Sequence, residues 1–160
     1  MGLFTGMNIS SSALTAQKLR LDLIANNVAN INTTNTGKTT SSGNPIPYSR
    51  ELAVFSVRSP ETSFASLFQG AQQELSSEGV QVTNVIEGGT PFRLEYDPNS
   101  PDAAKVAEQG IPVGYVRYPN VTLVEEMTDM ISASRSYEAN VTVLNASKTM
   151  ASKALEIGKG

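Results

Sequence analysis

The sequence predicts an α+β protein in which long N- and C-terminal helices pair as a coiled-coil-like domain, with a small, mainly β middle segment. Three observations carry this. Residues 121–157 contain neither Gly nor Pro, and they place Leu123, Met127, Met130, Tyr137, Val141, Leu144, Ala151 and Leu155 at steps of three, four and seven, the spacing of one helix face. Near the other end Leu14, Leu21 and Val28 repeat every seven residues, with Ile24 and Ala25 beside them. Between these ends, short alternating runs are separated by Gly, Pro and Asn, the pattern of strands and turns. The chain therefore divides into an N-terminal helix within 1–32, a loop-rich β segment over 33–119, and a C-terminal helix within 120–160.

Taken in order, residues 1–7, with Gly2 and Gly6, read as a frayed lead-in. The first helix starts near Asn8, or at Ser10, Ser11 or Ser12, any of which could cap it. It covers about 24 residues, or roughly 36 Å. A second apolar strip, Ala16, Leu19 and Leu23, lies opposite the first. Two apolar faces imply neighbours on two sides; an ordinary three-helix core is the simpler alternative. Asn26, Asn27, Asn30 and Asn32 end the helix, because Asn tolerates the left-handed conformation. Residues 33–47, TTNTGKTTSSGNPIP, read as a mobile low-complexity loop.

Strands are expected at 52–57, entered from Tyr48, and at 79–87. Phe92, Leu94 and Tyr96 alternate with Arg93 and Glu95, as in a half-buried strand. Asp97-Pro98-Asn99-Ser100-Pro101 breaks it, and 114–118 forms a short final strand. Phe64, Leu67 and Phe68 suggest a short helix within 60–77. Pro119 and Asn120 then precede the long helix, where Thr122 and Glu125 have capping-box spacing. Glu125, Glu126 and Asp129 suit its positive N-terminal end, and Lys148, Lys153 and Lys159 its negative C-terminal end.

Composition limits what such a chain can do. Apolar residues make up 39% and aromatics 6%, with no Trp, so the core is small or shared. A C-terminal helix of roughly 55 Å is too long to be covered by one of about 36 Å, which points to assembly with other chains. The net charge is −3 without a basic patch, so nucleic acid is not an expected partner. No apolar run reaches the ~20 residues of a membrane span, and no cleavable secretion signal is visible.

With no His and no Cys, the catalytic triad, Cys–His and zinc constellations are excluded. Glu125 and Asp129 share a helix face and could be imagined as paired carboxylates, but a solvated acidic first turn explains them more simply. Asp97-x-Asn99 lacks the remaining ligands of a calcium loop. Met127, Met130 and Met150 fit a core or a subunit contact better than a cofactor site. No enzyme activity, catalytic residue, cofactor, metal or small-molecule substrate is expected.

Two blocks carry a family resemblance. Ser12-Ala13-Leu14, Ala16-Gln17, Arg20-Leu21 and the run Ala25-Asn26-Asn27-Val28-Ala29-Asn30 resemble the leader of bacterial flagellar axial proteins. The run Ala133-Ser134-Arg135-Ser136-Tyr137-Glu138-Ala139-Asn140-Val141, with Gly114-Tyr115-Val116, Pro119-Asn120-Val121 and Glu126-Met127, resembles the proximal-rod branch of the flagella basal body rod protein family. Tyr96-Asp97-Pro98 with Pro101 and Ala103 also fits. Residues 33–47 and 60–77 depart from the family pattern by their length.

The resemblance implies a structural subunit of the hollow drive shaft that crosses the periplasm, transmits torque and passes exported subunits. It implies export through the flagellar type III apparatus without a cleaved signal peptide. The implied partners are other rod proteins, copies of the chain itself, and the adaptor that joins rod to membrane ring. Leu14, Leu21, Ile24, Val28, Leu123, Met127, Met130, Tyr137, Val141 and Leu144 are then the expected assembly interface. Asn26, Asn27, Asn30, Ser134, Arg135, Ser136, Tyr137 and Asn140 are the family motif. Another rod or hook-type axial protein is the alternative within this class. A soluble coiled-coil adaptor or export chaperone is the alternative outside it.

Overall fold

A computed structural model describes residues 3–58, 79–108 and 110–158, with side chains from Thr5 onward. Helix α1 spans Leu3–Ala29 and helix α2 spans Leu123–Ile157. Among the described residues, four strands lie between them: β1 (Glu51–Val57), β2 (Val80–Glu87), β3 (Arg93–Tyr96) and β4 (Tyr115–Tyr118). The short helix expected within 60–77 falls outside the described residues. Two long helices with small antiparallel ribbons give the expected α+β class.

Helix α1 starts earlier than expected. Residues 3–7 are helical rather than a frayed lead-in. The serines therefore sit inside the helix, where a hydroxyl bonds back to a carbonyl one turn earlier instead of capping. Ser12 Oγ donates to the Ile9 carbonyl at 2.7 Å, and Thr15 Oγ1 donates to the Ser11 carbonyl at 3.2 Å. The helix does end at the asparagines, but not through a left-handed residue, for no described non-glycine residue has positive φ. Instead, Asn30 N–H and Asn30 Nδ2 both donate to the Asn26 carbonyl at 3.0 Å. Thr33 N–H then donates to the Asn30 carbonyl.

The chain divides into two compact units, one of residues 1–21, 53–85 and 131–160, the other of residues 22–52 and 86–130. In the first, Ser12 Oγ also accepts the Val80 N–H at 3.1 Å, joining α1 to β2. Gly79, at φ +107°, makes this approach possible, because a Cβ there would lie 2.2 Å from Ser12 Oγ. Ser10, Ala16, Ala133 and Ser147 are buried in this unit. All four are small, which lets backbones approach closely.

The second unit contains β3 and β4, paired antiparallel with Arg93 opposite Tyr118 and Tyr96 opposite Tyr115. The Arg93 guanidinium lies 4.8 Å from the Tyr118 ring centroid, and the rings of Tyr96 and Tyr115 are 5.2 Å apart. These cross-strand pairs hold both ends of the ribbon. Alternation correctly marked β3 as a strand, but β3 is not half-buried. All four of its residues are exposed, because a two-stranded ribbon has no second layer over that face.

Residues 33–47 are not a mobile loop. They fold back through a Thr39–Pro45 bridge, with Gly43 at φ +81°. Asn44 is buried, its Oδ1 accepting the Lys105 N–H and its Nδ2 donating to the Val106 carbonyl. Thr34 Oγ1 and Asn35 Nδ2 donate to the Asp102 carboxylate at 2.6 and 3.0 Å. The polar side chains suggesting disorder are here the hydrogen-bonding groups that fix the loop.

Candidate functional site: a buried polar junction and a bare helix face

In the second unit, the last turns of α1, the start of β1 and the first turn of α2 meet at Asn27 and Glu126. Both side chains are fully buried. Asn27 uses all four hydrogen-bonding positions of its amide. Oδ1 accepts the Glu51 N–H and the Tyr48 hydroxyl, each at 2.9 Å. Nδ2 donates to the Glu51 carbonyl at 3.0 Å and to Glu126 Oε2 at 3.1 Å. The other Glu126 oxygen, Oε1, accepts from Arg50 Nε at 2.5 Å, and Arg50 Nη2 reaches Asp129 Oδ2 at 3.2 Å.

The location of Glu126 near the start of α2 also places its charge at the favourable end of the helix dipole. The acidic first turn is thus not simply solvated. Glu125 is exposed, while Glu126 is the centre of a paired, hydrogen-bonded network. The nearby Tyr48 hydroxyl is pushed up to about 12 by burial, with the Glu51 and Glu126 carboxylates adding to the effect. Its proton is held on the hydroxyl and donated to Asn27. Asn120 extends the junction: Oδ1 accepts the Arg50 N–H at 2.8 Å, while Nδ2 donates to the Gly88 and Thr90 carbonyls at 3.0 Å.

The expected interface residues have different surroundings. Ile24 is buried; Leu14, Leu21, Val28, Met130, Tyr137, Val141 and Leu144 are half-buried; Leu123 and Met127 are exposed. On α1 the strip Ala16–Leu23 is buried more completely than Leu14, Leu21 and Val28, although Leu19 is exposed. On α2, Val124, Ile131, Val143, Met150, Leu155 and Ile157 are also exposed, Leu155 at 73% and Ile157 at 82%. Among the described residues this apolar surface has no cover.

In the motif blocks, Asn26 and Arg135 are exposed, and Asn30, Ser134, Ser136 and Asn140 are half-buried. Ser136 Oγ donates to the Ser132 carbonyl, and Asn140 Nδ2 donates to the Ser136 carbonyl, both within α2. Sequence reasoning singled out Asn27 as motif and Glu126 as a helix-end charge. It missed their pairing, and it missed Tyr48, Arg50 and Asn120 as partners. No helix among the described residues is long and apolar enough to cross a membrane.

Two family models match the helical ends. One, for the flagella basal body rod protein, covers residues 7–35; the other, for the flagellar basal body rod FlgEFG protein C-terminal region, covers 113–157. The flagellar basal-body rod protein FlgC of Borreliella burgdorferi is 44% identical over 161 residues, spanning 100% of both chains. The chain belongs to the FlgC family of flagellar basal-body rod proteins. FlgC of Bacillus subtilis is likewise 44% identical, over 99% of this chain and 100% of its own. FlgC of Salmonella typhimurium is 37% identical over the same shares.

Membership of the FlgC family makes the chain a structural subunit of the flagellar basal-body rod. Asn27 and Glu126 lie in the two separate matched segments, whereas Tyr48 and Arg50 lie in neither. The junction therefore ties the two family-defining ends together through residues between them.

Proposed function

We propose that this chain is a building block of the proximal rod, where copies of it and other rod proteins form a hollow shaft that transmits torque and passes exported subunits. Residues 1–32 and 120–160 act as the axial core, and residues 33–119 face outward. The observation that carries this reading is the uncovered apolar face of α2, combined with full-length similarity to FlgC proteins. Helix α2 has 35 residues and α1 has 27, so α2 is longer by about 12 Å at ~1.5 Å per residue. In a shaft, repeated copies bury such faces ridge into groove, each covered Leu or Met contributing roughly 1.5–3 kcal/mol.

Leu14, Leu21, Ile24 and Val28 on α1 and Leu123, Met127, Met130, Tyr137, Val141 and Leu144 on α2 serve this packing within and between subunits. The chain reaches the periplasm through the flagellar type III apparatus, on an uncleaved signal within residues 2–30, and there meets the adaptor joining rod to membrane ring. It works by packing rather than by catalysis.

The test is electron microscopy of envelopes from a strain lacking this gene. Membrane rings without rod, hook or filament are expected, and an intact flagellum would refute the reading. Deletion of residues 2–30 is expected to leave the chain in the cytoplasm.

A further inference from the structure

We infer that Asn27 is a positioning residue that acts after export, fixing the fold that assembles, rather than a residue through which the leader is recognised for export. The inference rests on the rod reading above. It starts from the three asparagines of the leader run, which the structure places differently. Asn26 is exposed, and Asn30 is half-buried, its amide donating to the Asn26 backbone carbonyl and accepting the Thr33 hydroxyl in the turn that follows. Asn27 is fully buried, and its partners lie 21, 24 and 99 residues away in sequence.

The geometry accounts for the residue type. The Glu51 peptide group opens β1, and its N–H and C=O both bond to the Asn27 amide. Asn27 thus replaces a neighbouring strand at that point, giving a half-buried peptide a donor and an acceptor. The second Nδ2 hydrogen goes to Glu126 and the second Oδ1 lone pair to Tyr48. Asp would keep the acceptors but lose both donors, and it would set a second carboxylate beside Glu126. Ser has one donor and a shorter reach, and Gln is one methylene too long. The four-way bonding therefore defines an Asn without any recognition by another protein.

The same geometry defines a compensating pair. In Asn27→Asp, Glu126→Gln supplies an amide donor toward the new carboxylate, while its oxygen still accepts from Arg50. One opposed contact, Asp against the Glu51 carbonyl, remains.

The experiment places Asn27→Asp, Asn26→Asp and the double variant Asn27→Asp/Glu126→Gln in the cell in place of the natural chain. Cytoplasmic retention and swimming are measured for each. For Asn27→Asp the expected result is retention equal to the natural chain's but loss of swimming. For the double variant, swimming returns at least in part; for Asn26→Asp both readouts are unchanged. Accumulation of Asn27→Asp in the cytoplasm would overturn the inference, as would swimming by that variant or failure of Glu126→Gln to improve it. None of these results refutes the rod reading, which fails only if cells lacking the gene still build a flagellum.

Discussion

The junction around Asn27 and Glu126 and the far half of α2 solve opposite problems. At the junction, the Asn27 and Glu126 side chains are fully buried and find their partners inside one chain. Along α2 beyond Asn140, apolar side chains are exposed: Val143, Met150, Leu155 and Ile157 are each more than half accessible. The junction finds its partners within the chain, whereas the apolar side chains at the far end of α2 have no cover among the described residues. Directional hydrogen bonds accept one geometry, which suits a contact that must form identically in every copy. Apolar contact is less directional and scales with area, which suits a surface reused against neighbours.

The comparison breaks most visibly on the bare face. Leu155→Asp is expected to abolish swimming while changing the stability of the purified chain by no more than about 0.5 kcal/mol, as for exposed positions generally. Normal swimming would remove this position from the interface. Leu144→Asp is expected to abolish swimming too, with some loss of stability because that side chain is half-buried.

The junction should respond in the opposite way. Glu126→Ala leaves Arg50 without its buried partner and the Asn27 amide with an empty donor, and it is expected to cost about 3–5 kcal/mol in denaturant unfolding. A cost close to zero would mean that the network does not hold the unit together. Gly79→Ala tests the other unit, since its Cβ would collide with Ser12 Oγ at a positive φ. A loss of about 1–3 kcal/mol is expected there.

The smallest effect should come from Tyr48→Phe, which removes one hydrogen bond, worth about 1 kcal/mol. It also has a pH signature. The folded chain holds the Tyr48 proton up to about 12, against 10.0 for an ordinary tyrosine. Its contribution to stability is therefore fully present below pH 10 and is lost as pH rises toward 12. Alkaline titration of tyrosine absorbance should show a late component in the natural chain that Tyr48→Phe lacks.

The parts legible in the sequence were those governed by local rules. Both helices announce themselves by period and by freedom from Pro, β3 by alternation, and β1, β2 and β4 as short runs between turn residues. What the sequence concealed depends on pairs far apart. Asn27 and Glu126 are 99 residues apart and Arg50 and Glu126 76 apart, and nothing local marks them as partners. The loop 33–47 misled for a related reason: composition counts Thr and Asn as disorder-prone, but the Asn44 amide is satisfied by groups more than 60 residues away, the Lys105 and Val106 backbone and the Glu108 carboxylate. The start of α1 was misplaced because Ser10, Ser11 and Ser12 look like caps, although inside a helix a hydroxyl can bond to the preceding turn.

The central claim is that the far half of α2 is bare in the single chain and covered in the rod. The chain has no cysteine, so Leu155→Cys introduces one thiol. Its rate of labelling by a maleimide can be compared between the purified chain and isolated basal bodies. Rapid labelling of the chain alone and strong protection in basal bodies are predicted. Equal labelling in both would contradict the account.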